Sequence, residues 1–172
     1  MLGQREESNM GIRIIVFSLI TFFHDLFSAI WMGGLIVTVC AYLPAVKEAL
    51  GAGPQVKKVM TAFQKRQSVW VYVSMAGLIL TGLLMTNRSP QFESLFAFGN
   101  PYSAALSIKH ILVVVMIGIS LYRTLILGNV QSDANPKKER LSVQLLLMNA
   151  ALAVGVLLIS GFTSALAIAL SG

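Results

Sequence analysis

Four stretches of the chain stay apolar long enough to cross a bilayer, and polar residues separate them. They run from about Ile14 to Leu43, Val69 to Met85, Ala105 to Leu127 and Val143 to Leu170. A helix needs about 20 apolar residues to cross the hydrocarbon core. The pattern therefore predicts an all-α fold, an integral membrane four-helix bundle forming one domain over residues 1–172. The first stretch is longer than one crossing needs, so it is expected to tilt or protrude, with Pro44 marking a break. It does not read as a cleaved signal peptide: Glu6 and Glu7 precede it, and it contains His24 and Asp25. The two halves share a loose order of histidine-bearing helix, basic loop and histidine-free helix, which hints at a duplicated hairpin.

Composition agrees. Only 12% of residues are charged against 56% hydrophobic, and soluble domains carry about twice that share of charge. The apolar content excludes disorder, and the single Cys40 excludes a disulfide scaffold. The net charge of +6 is an uneven loop charge rather than a nucleic-acid surface. Lys47, Glu48, Lys57, Lys58, Lys65 and Arg66 give the first loop a net +4. Arg123, Asp133, Lys137, Lys138, Glu139 and Arg140 give the last a net +2. The positive-inside rule puts both basic loops in the cytoplasm and both termini on the non-cytoplasmic side of a cytoplasmic (inner) membrane.

Two loops carry further expectations. Val56, Val59, Met60 and Phe63 recur at helical spacing, which predicts an amphipathic cytoplasmic extension of the second span near anionic headgroups. In the outer loop Ser89-Pro90 reads as a helix start, and Phe92, Phe96, Phe98 and Tyr102 suit a short interfacial helix.

The two histidines, His24 and His110, both fall within spans, where an ionisable group is a functional candidate by default. His24 lies seven positions in from Phe17 and His110 six from Ala104, roughly 10 Å and 9 Å along a helix. Both spans enter from the same side, so the imidazoles are expected at one level. Two imidazoles on separate helices form a candidate axial pair for haem b. Arg13, Arg88 and Lys109 are then propionate neighbours, and Phe27, Trp31 and Val114 are wall residues. Hydrogen bonding between helices is the plainer role for the histidines, and packing is the plainer one for Trp31. Asp25 either orients His24 or pairs with a neighbouring helix. Gly33-Gly34 reads as a close helix crossing, and the eight methionines as core filling.

Small and hydroxyl residues form stripes expected to face the bundle interior. They are Trp70, Ser74, Gly77, Thr81 and Met85 on the second span, and Asn149, Ala153, Val156, Ser160 and Thr163 on the fourth. Ala151 and Gly155 mark a face for close association, within the chain or in a homodimer.

The run His24-Asp25-Leu26-Phe27-Ser28-Ala29-Ile30-Trp31-Met32-Gly33-Gly34 resembles the first-helix signature of CopD-like membrane proteins, the copper-resistance D group. Ala76-Gly77-Leu78-Ile79-Leu80-Thr81-Gly82-Leu83-Leu84 resembles that family's next helix. The segment from Tyr102 to Arg123, with Lys109-His110 and a closing Tyr122-Arg123, resembles its third. The resemblance covers about residues 20 to 125. The opening is also similar to that of HemJ-like proteins, associated with haem and protoporphyrinogen IX oxidation. The resemblance implies a four-helix fold whose histidines hold haem or copper. The expectation carried forward is a b-type haem protein passing electrons between a quinone or redox partner protein and an outer acceptor, with His24 and His110 as axial ligands. The alternatives are a CopD-like copper transport protein and a HemJ-like porphyrinogen oxidase.

Overall fold

The computed structural model describes residues 2–51, 53–85, 94, 96–127 and 136–169, with side chains from Asn9 onward. Every long element is a helix, and no strand occurs among the described residues. Four helices are long and apolar enough to cross a membrane: Asn9–Leu50, Pro54–Met85, Pro101–Leu127 and Pro136–Ala169. We call them the first to fourth spans. An even number of crossings returns both termini to one side. That side, which carries the two histidines, is the histidine end. The opposite side, which carries Lys57, Lys58, Lys65 and Arg66, is the basic end.

The helices outrun the apolar stretches that announce them. The second span begins at Pro54 and runs unbroken to Met85, so the segment around Val56 to Phe63 is its helical extension. Its Phe63 ring stacks on Tyr42 of the first span, with centroids 3.9 Å apart. Pro44 does not break the first span, contrary to the sequence expectation. The helix continues through it to Leu50, and a π-helical turn over Thr38–Tyr42 stands just before it. A proline withdraws one backbone donor, and a local change of helical register is a recognised way to accommodate that. The span ends at Gly51, whose φ of 66° is a conformation that L side chains rarely adopt.

The predicted interfacial helix in the outer loop is not borne out where it can be followed. Ser89, Pro90 and Phe92 lie outside the described residues. Phe96 to Asn100 is non-helical, and both Phe96 and Phe98 are exposed. The third span instead starts behind Asn100, an N-cap whose side chain accepts from the Ser103 backbone N–H at 2.7 Å, with Pro101 in the first turn. Ser107 ties the incoming chain down by donating to the Ala97 carbonyl at 2.8 Å.

The spans pack as two hairpins. The first packs on the second and the third on the fourth, while the middle of the first span also meets the fourth. The core lies at that junction. It comprises Trp31, Met32 and Leu35 from the first span, Met75 and Leu78 from the second, Met116 from the third, and Leu146, Ala150, Ala153 and Val156 from the fourth. The fourth-span stripe faces inward as expected at Asn149, Ala153, Val156 and Thr163. The second-span stripe does so at Ser74 and Thr81 but not at Trp70, which is 60% exposed. Large apolar side chains such as Ile14, Phe22, Leu80, Leu83 and Leu158 point outward around the bundle. That is the surface of a chain solvated by lipid, where only helices or closed barrels satisfy the backbone.

Candidate functional site at the histidine end

His24 sits on the first span opposite Thr81 of the second. Its Nδ1 and the threonine hydroxyl are 2.9 Å apart. The same hydroxyl lies 2.7 Å from the Gly77 carbonyl. A carbonyl only accepts, so the threonine proton goes to Gly77 and the hydroxyl oxygen accepts from His24 Nδ1–H. His110 is tied in the same sense. Its Nδ1 lies 2.7 Å from the Leu106 carbonyl, which fixes Nδ1 as the donor. In both rings the proton is thus assigned to Nδ1, and Nε2 keeps a lone pair with no hydrogen bond among the described residues. Holding one ring nitrogen so that the other is presented is how proteins orient imidazole ligands.

The helices deliver these side chains by local packing. Phe27, one turn on from His24, lies against Gly77; a Cβ on that glycine would overlap the ring. This contact lets the first and second spans approach closely beside the His24–Thr81 bond. A Cβ on Gly82 would stand 3.8 Å from the His24 ring, an ordinary contact, so the room beside the imidazole does not depend on that glycine.

The other expected site residues divide. His24 stands within electrostatic reach of Asp25, Lys109 and His110, and Lys109 within reach of Asp25 and His110. The four groups therefore share one neighbourhood, with Asp25 and Lys109 of opposite charge. Arg13 is exposed on the first span, eleven residues and so roughly 16 Å before His24. Arg88 lies outside the described residues. Trp31 is fully buried in the core, seven residues beyond His24, and its indole N–H has no partner there. Val114 is 62% exposed, and its neighbours Val113 and Ile117 are the side chains packed on the core. Gly33-Gly34 makes no tight crossing: a Cβ would meet nothing at Gly33, and only the Gln67 amide at 3.5 Å at Gly34. Among the described residues no three His, Cys, Asp or Glu side chains gather closely enough to hold a metal ion.

The family described as copper resistance protein D matches residues 61–163, more than half of the chain. The chain belongs to that family. The match takes in Thr81, His110 and most of the fourth span, which carries no motif recognisable by eye. His24 and the first-helix run lie before it. No curated protein and no solved structure matches the chain. As a member of the copper resistance protein D family with four apolar helices, it is a multi-pass membrane protein.

Proposed function

We propose that this copper resistance protein D family member handles monovalent copper inside the membrane, taking it on His24 and His110. The observation that carries the reading is the pair of Nε2 lone pairs, each oriented by a bond at Nδ1 of the same ring. Neutral imidazole is a good copper ligand. Cu(I) accepts two ligands, whereas structural zinc asks for four, and among the described residues no third His, Cys, Asp or Glu joins the two rings to complete a zinc site. Few ligands also leave the ion exchangeable, as passage across a membrane requires. Asp25 offsets the Lys109 charge that would otherwise repel an incoming cation. On the loop charges, the histidine end faces away from the cytoplasm.

The test is a Cu(I) titration of the purified full chain against a chromogenic chelator. One ion per chain is expected, lost in both His24→Ala and His110→Ala. Unchanged stoichiometry in both variants overturns the assignment.

A second reading keeps the same ligands and places haem b between them. It asks less of the packing than copper does, because the first and third spans, which carry the two rings, are not among the closely packed pairs, and a porphyrin fills a wider gap than one ion. An absorption spectrum separates the two. Sharp reduced cytochrome bands that vanish in both histidine variants establish haem and an electron-carrier role with a quinone or protein partner. A colourless protein that binds copper establishes the first reading.

A further inference from the structure

At the basic end all four spans contribute to a cavity of about 360 Å³, open on one side. Its lining is about half polar and holds two cations, Arg123 and Lys65, with no carboxylate among the described residues. An arginine one turn from the end of a span ordinarily reaches outward to the headgroups. Here it is half-buried, and its Nε donates to the Ser142 carbonyl of the fourth span at 3.1 Å, which holds the guanidinium inside the bundle. The Nη groups have no carboxylate or other acceptor among the described residues. Arg123 also lies in a π-helical turn, Tyr122–Leu127, a local distortion often found at functional sites.

The surrounding groups are already arranged. Gln67 donates to the Thr38 hydroxyl at 2.9 Å and the Gly34 carbonyl at 3.2 Å, which holds the cavity wall between the first two spans. Ser120 accepts from Asn149 at 2.8 Å, so its own proton is left to point elsewhere. A planar guanidinium whose Nη groups meet no acceptor among the described residues, a second cation in the lining and a hydroxyl donor match a tetrahedral oxyanion, which guanidinium binds through two parallel bonds.

We propose that this cavity binds a phosphate group, carried either by an anionic phospholipid of the adjoining leaflet or by a small soluble phosphate. The site is independent of copper at the opposite end. The test uses the full chain in nanodiscs and reads thermal unfolding. One arm titrates inorganic phosphate into discs of phosphatidylcholine alone. The other replaces increasing amounts of phosphatidylcholine with phosphatidylglycerol at fixed ionic strength. Stabilisation in the first arm identifies a soluble phosphate, and in the second arm only, the lipid. In the responding arm Arg123→Gln is expected to weaken binding about tenfold or more, as loss of a charge-assisted bidentate contact does. Arg66→Gln, which removes the same charge outside the lining, is expected to leave it unchanged. Lys65→Gln, at the exposed mouth, is expected to weaken it by a smaller factor and serves if Arg123→Gln does not assemble. No stabilisation in either arm, equal loss in Arg66→Gln, or full binding in Lys65→Gln overturns the proposal.

Discussion

At the histidine end two rings are each held by a single bond at Nδ1, with the Phe27–Gly77 contact beside His24. At the basic end the polar groups are more numerous and drawn from every span, and several are tied to backbone carbonyls or to a neighbouring side chain around open space. The first arrangement is sparse and suits a soft cation that needs few ligands. The second is crowded with donors and suits an anion. On the two proposals, a small bundle separates opposite ligand chemistries by depth alone, because a helix carries each polar group about 1.5 Å further per residue.

The comparison breaks most sharply at Thr81. Thr81→Val removes the acceptor that fixes the His24 tautomer while leaving the ligand in place. Copper affinity should fall about 10- to 100-fold, as outer-shell changes at metal sites usually cause, with little change in phosphate response. A Cu(I) competition titration checks this, and unchanged affinity removes the tautomer argument.

Next comes the Phe27–Gly77 contact. Gly77→Val should destabilise the chain by about 1–3 kcal/mol through overpacking. Adding Phe27→Ala should recover part of that loss, because the two side chains compete for one space. A thermal-unfolding double-mutant cycle reads the coupling, and simple additivity denies the contact.

At the other end, Gln67→Leu deletes two bonds between the first and second spans. Its cost should be about 1 kcal/mol, the scale of polar contacts between membrane helices, with copper affinity unchanged. A drop in copper affinity would mean that the two ends are coupled. The smallest effect belongs to the Lys57–Glu139 ion pair, 2.6 Å long with both side chains more than half exposed. Lys57→Ala should shift the unfolding midpoint immeasurably, since exposed pairs contribute little.

The four spans were readable in the sequence because a bilayer demands long apolar runs, and Ile14 to Leu43 or Val143 to Leu170 meet that demand without reference to any partner. The extension of the second span back to Pro54 was legible too, from the helical spacing of Val56, Val59, Met60 and Phe63; the start of the fourth at Pro136 was not, because Pro136 to Ser142 is helical outside the apolar stretch, where hydropathy is silent. His24 and His110 stood out because imidazoles are rare in an apolar run. The atom each presents did not, since it depends on Thr81, 57 residues from His24, and on the backbone of Leu106. Trp70 was misplaced because a period of 3.6 gives a face only to within a residue or so; Met75 and Leu78 are buried instead. The basic-end cavity left almost no trace. Its lining is scattered as single serines, threonines and glutamines over four helices, and the one signal was Arg123 at the close of an apolar span.

The first span holds two short π-helical stretches, Ala29–Gly33 and Thr38–Tyr42, with a four-residue α segment between them. Each wider turn shifts the azimuth of everything after it. The rod that lays Phe27 against one neighbour thereby turns Leu35 toward another. Its middle joins the two hairpins. Shortening it by one residue would turn its lower half through about 100° and unseat the join.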